Sequence, residues 1–395
     1  MSHHRVKHSY HHGHNLPQAQ QVTLTPQNNI LISIPSSSTP SWGSMFVIDF
    51  REKNCTLHNI ILEFQVSALS GLTGGTQHRY TPAWWWFNRI DVVSSQGNVI
   101  DSYYPDSNFW IHQLYYKDED RTFFQSLATP YNESVASNIT TRVTLASATN
   151  NYYLPLSTFI DQASPVFLSN KDDIQLRVYM NTLASQYQYT TAATSGTATS
   201  SILSCNALCR ISRMTSEEAG AKATALVKSP FHYRFHELKF QTFSVSSSTT
   251  ASSFVLSGLI GLVDHFFFVV RTANPTGSQQ WTYTQITSWE LLDSSSTNIV
   301  GGSTLKDGVT RSHLGRLFTE SSYLQEPQYL YMYSFSIAPS VSYMTGQNLN
   351  TYRFRGNETL KINFASSVSG VQVDVFANCP AILEFSNSQI RKLSV

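Results

Sequence analysis

The chain has 395 residues, which is long enough for two domains or for one large β domain. Its 26 Lys and Arg residues nearly balance its 25 Asp and Glu residues, so the formal net charge is +1. This balance argues against a protein that coats nucleic acid, and no direct sequence-specific binding of nucleic acid is predicted. The aromatic fraction of 13% excludes a disordered chain. Only 13% of residues are charged, and the many aromatic, β-branched and hydroxyl side chains predict an all-β protein.

Three segments favour helices. Asp106–Leu127 has an amphipathic spacing, and Asp307–Phe318 is a shorter candidate. Thr215–Val227 has the strongest helical signal, because Thr215 or Ser216 can cap it, two glutamates lie in its first turn, and its centre is rich in alanine. Pro230 follows as a stop signal.

Nearly all of the remaining chain favours strands separated by polar turn clusters. The predicted strands are Ile30–Ile34, Thr56–Val66, Trp84–Val93, Ile174–Met180, Ile202–Ile211, Tyr329–Ile337, Leu360–Phe364 and Val371–Phe376. The segment Gln186–Ser201 is small and uncharged and is predicted to be a long surface loop. Many strands, few helices and long polar loops favour a β-sandwich over an alternating βαβ fold.

Four elements recur in the same order at offsets of about two hundred residues. The matched pairs are Leu57–Val66 with Leu259–Val270, Ile90–Val93 with Trp289–Leu292, Asn98–Ile100 with Asn298–Val300, and Asp173–Val178 with Thr359–Phe364. Each match is weak by itself, and the shared order gives the set its weight. The sequence therefore predicts two β domains of one topology, with the helix Thr215–Val227 between them.

Several of these segments carry a resemblance to a known family. The first half contributes the strand–turn–strand Trp86–Ile100 and the Pro-Leu strand Tyr153–Ile160. Their counterparts in the second half are Val269–Arg271, Trp289–Asp293 and Val371–Phe385. From about Val22 to its end, the chain resembles the double jelly-roll major capsid proteins of icosahedral viruses, a group that includes tectivirus and corticovirus coat proteins and the adenovirus hexon.

The resemblance implies two tandem eight-stranded jelly-roll sandwiches with a few short helices. The expected divisions are an arm at 1–20, a first roll at 21–214, a helical linker at 215–229 and a second roll at 230–395. Three chains would form a pseudo-hexagonal capsomer in the shell of a virion. The implied partners are neighbouring capsomers, penton and minor capsid proteins, and an internal viral membrane; a bacteriophage is the expected kind of virus.

The N-terminal arm has a composition of its own. Within its first fifteen residues the candidate contact residues are His3, His4, Arg5, Lys7, His8, His11, His12 and His14. By the resemblance, this arm would lie on the inner face of the shell, where basic side chains can contact anionic lipid headgroups. Three alternatives stay open: binding of adventitious metal, locking of neighbouring trimers, and disorder.

The sequence has no complete catalytic or metal-binding pattern. Cys205 and Cys209 lie four residues apart without a second pair or a nearby His, so buried free thiols are predicted for the four cysteines and no metal or cofactor is expected. His236–Phe240 begins like a zinc-protease helix but has Phe240 in place of the second His. No catalytic residue is assigned, and we predict that the protein is not an enzyme.

Two other function classes compete with a capsid role. The first is a carbohydrate-binding protein built of two jelly-roll modules, for which Trp84–Trp86 would offer a sugar platform. The second is a β-sandwich glycosidase, for which the sequence offers no convincing pair of carboxylates. Neither a signal peptide nor a transmembrane helix is expected: Met1–Asn15 is polar, and Asp264 and His265 interrupt the most apolar stretch.

Overall fold

The computed structural model describes residues 29–72, 76–78, 82–94, 96–105, 107, 146–156, 166–168, 174–189, 196–273, 284–300, 331–336, 350–386 and 389–393. Strands dominate these ranges. The strands of the first half are β1 Asn29–Pro35, β2 Met45–Phe50, β3 Cys55–Val66, β4 Ser70–Leu72, β5 Thr76–His78, β6 Phe87–Ser94, β7 Val99–Tyr103, β8 Asn150–Pro155, β9 Val166–Leu168, β10 Ile174–Met180, β11 Tyr187–Tyr189, β12 Gly196–Thr199 and β13 Ile202–Arg213. Two short 3-10 helices lie at Pro82–Trp85 and Leu183–Ser185.

One α-helix, α1 (Ser216–Lys228), separates these strands from a second set. The strands of the second half are β14 Phe231–Val245, β15 Thr249–Val255, β16 Gly261–Val263, β17 His265–Thr272, β18 Ile286–Leu292, β19 Tyr331–Ser334, β20 Tyr352–Phe354, β21 Thr359–Val368, β22 Val371–Ser386 and β23 Gln389–Leu393. Every strand pair within the described ranges is antiparallel.

Eight strands of the first half form a jelly roll. One sheet has the order β1-β13-β3-β8, with β9 also paired to β3, and the facing sheet has the order β2-β10-β6-β7. Counted along the chain, these eight strands alternate between the two sheets except at β6 and β7, which form a hairpin within one sheet, and the first strand lies beside the last. This is the double Greek-key connection of a jelly roll.

The second half repeats that arrangement. Its larger sheet has the order β14-β22-β17-β19, with β23 also paired to β22, and its smaller sheet has the order β15-β21-β18. Where the first roll has β7, the second has an isolated bridge between Leu292 and Asn298. The predicted fold, two jelly rolls in tandem, is confirmed.

The internal repeat falls on equivalent strands of the two rolls. The matched segments form β3 and β17, β6 and β18, and β10 and β21, and the turn residues Asn98 and Asn298 lead into β7 and its counterpart bridge. Within β10, alternate residues from Ile174 to Met180 are buried, as the apolar–polar alternation predicts. The shared order of the elements therefore predicted the duplicated roll correctly, although the residues at matched positions differ.

The predicted helix Thr215–Val227 is confirmed as α1. The Thr215 hydroxyl accepts a hydrogen bond from the Glu218 backbone N–H at 3.2 Å, and the Glu218 carboxylate accepts one from the Thr215 N–H at 2.9 Å. These two bonds form a capping box that satisfies donors left open at the helix start. The other two predicted helices, Asp106–Leu127 and Asp307–Phe318, fall outside the described residues apart from Ser107.

Two segments expected to be single strands are divided, and the predicted strand Val371–Phe376 is only the first part of β22. Trp84–Val93 is divided, because Pro82–Trp85 forms a 3-10 helix and β6 begins only at Phe87. The Asn181 side chain holds this irregular backbone, since its Nδ2 donates to the carbonyl oxygens of Trp85 and Phe87 at 2.9 Å each. Leu259–Val270 is divided as well: β16 ends before Asp264, whose backbone N–H bonds the Asn378 carbonyl at 2.9 Å, and β17 starts after it.

The predicted long loop Gln186–Ser201 is also wrong in part. It contains β11 and β12, which pair with β5 and β4 respectively. Ser70 and Thr199 join β4 to β12 through their hydroxyl groups at 2.9 Å. In β11, Tyr187 is buried in a small apolar cluster with Leu69 and Ala146. β12 has no buried residue, and its small uncharged residues carry little hydrophobic signal, so backbone pairing with a distant segment orders it.

Candidate functional site at the junction of the two rolls

Strand β17 is buried on both of its faces. Phe266, Phe268 and Val270 pack in the core of the second roll. Phe267 and Val269 point the other way, into an apolar cluster that continues into the core of the first roll. A continuous apolar sequence is typical of a strand covered on both sides, which explains why this segment does not alternate.

A row of aromatic rings crosses the larger sheet of the second roll and reaches the first roll. Phe267 stacks on Phe376 with ring centres 4.9 Å apart, and Phe376 lies 5.0 Å from Phe240. Phe240 then lies 4.2 Å from Tyr104, which follows β7. Register places Phe376 opposite both Phe267 and Phe240, so the ladder itself aligns the three phenylalanines. This row is the apolar centre of the junction.

A buried carboxylate marks one border of the aromatic row. The side chain of Asp374 is 1% exposed, and its Oδ2 accepts from Arg271 Nε at 2.6 Å. Its Oδ1 accepts from the Thr242 hydroxyl and from Gln372 Nε2, each at 2.7 Å. Three donors on one carboxylate satisfy its charge away from water, so this cluster fixes β14, β17 and β22 relative to one another.

A cleft of about 410 Å³ opens beside this cluster, between the rolls. On its first-roll side, the Arg89 guanidinium carbon lies 4.6 Å from the centre of the Tyr179 ring. Arg89 Nε also lies 3.1 Å from Asp91 Oδ1. The guanidinium groups of Arg89 and Arg271, which both line the cleft, are each engaged by a carboxylate, so the cleft presents paired charges.

A second carboxylate lies where β7 packs against β14 and β23. Asp101 is 3% exposed, and its carboxylate accepts from the Ser102 N–H at 2.9 Å and from the Tyr103 hydroxyl. Burial raises the pKa of Asp101 to about 7, against the lowering effect of the Tyr103 hydrogen bond and the Lys392 ammonium. Lys392 Nζ itself pairs with Glu237 Oε2 at 2.6 Å. An acid of the first roll therefore faces an ion pair of the second.

A buried histidine–aspartate pair joins β14 to the residue between β16 and β17. His236 Nε2 lies 3.2 Å from Asp264 Oδ2, and neither side chain is more than 1% exposed. The next residue, His265, is buried too, and burial lowers its pKa to about 4. His236 therefore belongs to a strand and a buried pair, and His236–Phe240 does not form a helix.

The three tryptophans proposed as a sugar platform lie in the core of the first roll. Trp84, Trp85 and Trp86 are all buried, the most exposed of them at 4%. Trp86 makes edge-on contacts with Trp42, at 5.7 Å between ring centres, and with Tyr152, at 4.6 Å. Because the 3-10 helix replaces the expected strand, the three rings do not alternate between core and solvent.

The remaining residues singled out from the sequence belong to the N-terminal arm and to the four cysteines. The arm residues His3–His14 lie outside the described residues. The four cysteines are buried and free, with the pKa of each raised chiefly by burial. Within the described ranges, no group of three or more His, Cys, Asp or Glu side chains is arranged to hold a metal ion. No helix in those ranges has the length and apolar character needed to cross a bilayer.

Taken together, the junction joins two sandwiches through apolar contact bordered by satisfied charges. Sequence reasoning missed it, since its residues come from β7, β14, β17, β22 and β23. The available signal was the all-apolar stretch of β17, which implied a second covered face. The arrangement suits a rigid unit of two rolls.

The fold defines the class of the protein as a double jelly roll. No protein-family profile matches the chain. No curated protein matches it either. The likeness lies in solved structures.

The PBCV-1 virus capsid, as a quasi-atomic model, aligns with a TM-score of 0.66 and 15% identity, covering 93% of this chain and 97% of that chain. The Faustovirus major capsid protein aligns with a TM-score of 0.64 and 10% identity, covering 97% of this chain and 93% of that chain. The mavirus major capsid protein aligns with a TM-score of 0.55 and 10% identity, covering 100% and 97% respectively. The predicted resemblance to double jelly-roll major capsid proteins is confirmed at the level of the fold.

Proposed function

We propose that this protein is a major capsid protein that tiles the shell of an icosahedral virion. The observation that carries the proposal is the presence of two rolls of one strand order in a single chain. The alignment over nearly the whole chain with capsid proteins of Faustovirus and mavirus supports it. We assign it no catalytic role.

The proposed building block is a homotrimer. Three chains with two similar rolls each give a trimer six upright sandwiches and a nearly hexagonal outline, which lets identical trimers fill a flat facet. Neighbouring capsomers are then its main partners, with penton and minor capsid proteins at special positions. A rigid junction suits this role, because the trimer keeps its outline only if the two rolls of each chain do not move relative to each other.

The mass of the native particle in solution tests this proposal. Light scattering of the purified full chain should give three times the chain mass of 44.4 kDa, and electron microscopy should show a six-cornered outline. A stable monomer that binds glycans would contradict the proposal and favour a carbohydrate-binding protein of two jelly-roll modules. The burial of Trp84–Trp86 removes the sugar platform on which that alternative was based.

We further propose that the His-rich arm contacts the inner face of the shell, over an internal membrane. The candidate residues are His3, His4, Arg5, Lys7, His8, His11, His12 and His14. Basic side chains near an anionic membrane surface contribute about 1 kcal/mol each, and histidines add charge as the pH falls through about 6.5.

Deletion of residues 1–14 tests the arm. Particles with this deletion should form with less enclosed lipid or lower stability than particles of the full chain. A second variant, in which the six histidines of the arm become Gln while Arg5 and Lys7 remain, separates the titrating charge from the permanent charge. Membrane-bearing particles with normal yield and stability in the deletion variant would exclude the membrane contact.

A further inference from the structure

The buried Asp101 carboxyl group lies at a contact between elements that are far apart in sequence. Strand β7, which carries it, packs against β14 and β23 of the other roll. Its nearest hydrogen-bond donors, the Ser102 N–H and the Tyr103 hydroxyl, belong to β7 itself. Asp101 is thus fixed in place by its own strand while the second roll covers it.

Charged groups lie on each element that packs against β7, and two of them, Glu237 and Lys392, act directly on the Asp101 carboxyl group. On β6, Asp91 accepts from the Ser102 hydroxyl at 2.7 Å and pairs with Arg89. The groups of the second roll are Glu237 and Lys239 on β14 and Lys392 on β23. Lys392 and Lys239 both lie within ion-pair distance of Glu237, at 2.6 and 3.6 Å, so the ammonium group nearest to Asp101 is already engaged.

We propose that Asp101 is a pH-sensitive latch between the two rolls, closed while its carboxyl group is protonated and loosened when it ionises. In the neutral form, β7 packs against the Glu237–Lys392 pair without a second buried negative charge. Ionisation releases a proton to solvent and leaves a carboxylate that either draws Lys392 away from Glu237 or takes up water. Either response weakens the packing of β7 against the second roll, because the first takes Lys392 from Glu237 and leaves two carboxylates close together, and the second admits water to the contact.

The direction of the pH effect follows from proton linkage. Burial raises the pKa of Asp101 from 3.8 to about 7, so between these values the folded protein holds a proton that the unfolded chain has lost. The stabilising contribution is complete below pH 3.8 and is lost as the pH rises through 7. From this one group, the unfolding equilibrium constant is expected to rise roughly a hundredfold between pH 5 and pH 8.

The variant Asp101→Asn tests the latch, since its amide is neutral at every pH. The ratio of its unfolding equilibrium constant to that of wild type should fall roughly a hundredfold from pH 5 to pH 8. Both constants are measured on the full chain in denaturant. Asp49→Asn is the matched control, because Asp49 lies on β2 beside Arg51, away from the junction. The ratio of the unfolding equilibrium constant of this variant to that of wild type should stay constant over the same pH range. Parallel pH profiles for wild type and Asp101→Asn would overturn the proposal.

Two further measurements keep the test independent of that one variant. Glu237→Gln removes a charge that raises the Asp101 pKa, so the pH at which the unfolding equilibrium constant rises should be lower than in wild type. In Lys392→Gln that pH should be higher.

If Asp101→Asn does not fold, hydrogen exchange of the wild-type protein provides the test. Amides of β7 and β23 should lose protection between pH 6 and pH 8 relative to β10, after correction for intrinsic rates; equal protection overturns the latch. The inference concerns one chain, so its failure leaves the proposed capsid role untouched.

Discussion

At the scale of single residues, the positions of Trp84, Trp85 and Trp86 depend on a contact with a residue far away in the sequence. Trp84, Trp85 and Trp86 were expected on a strand with alternating faces, and the structure places all three in the core. The reason is local: Pro82–Trp85 forms a 3-10 helix, so these residues do not alternate between two faces as on a strand, and Asn181, almost a hundred residues away, holds that turn. A bond between residues so distant in sequence leaves no local pattern to read.

Trp86→Ala should strongly destabilise the protein. The Trp86 side chain is fully buried, and its ring contacts Phe64 at 5.6 Å as well as Trp42 and Tyr152. Truncation leaves a cavity among rigid rings, so the free energy of unfolding should fall by about 3–5 kcal/mol in denaturant titration. Leu31→Ala, at a side chain that is 69% exposed, should change it by less than about 0.5 kcal/mol. Equal losses in the two variants would contradict this account of the core.

At the scale of elements, strands that bury one face were predictable and strands that pair without burial were not. β10 alternates apolar and polar residues because one of its faces lies in the core, and the sequence shows this directly. β12 has no buried residue, and it is ordered by pairing with β4. Helix α1 was predictable because capping depends on residues three positions apart, which a single sequence displays.

Thr215→Ala should weaken the start of α1 by about 1 kcal/mol, since the Glu218 N–H loses its side-chain acceptor. Hydrogen exchange of the amides in the first turn measures this loss. Thr224→Ala is the control, because the Thr224 hydroxyl bonds the Gly220 carbonyl inside the helix and alanine is a better helix former there. Unchanged protection of the first turn in Thr215→Ala would show that the capping box contributes nothing to the helix.

At the scale of the whole molecule, the order of recurring elements predicted the double roll while the junction stayed hidden. The repeat could be read because each roll needs the same succession of strands to close its two sheets. The junction could not, because Tyr104 meets Phe240 and Asp101 faces Glu237 only after both rolls have formed. The domain limits at residues 20, 214 and 229 and the role of the arm stay predictions.

The pairing of β1 with β13 has a consequence for how the protein is made. Asn29 lies opposite Ser212, so β1 can pair with β13 only after the ribosome has synthesised the whole of the intervening chain. At usual elongation rates this wait lasts roughly ten to forty seconds. Through that interval Ile30, Ile32 and Ile34 have no sheet to join, and the nascent segment is a natural client for cellular chaperones. Yield in a heterologous host should therefore depend on the speed of translation and on chaperone supply.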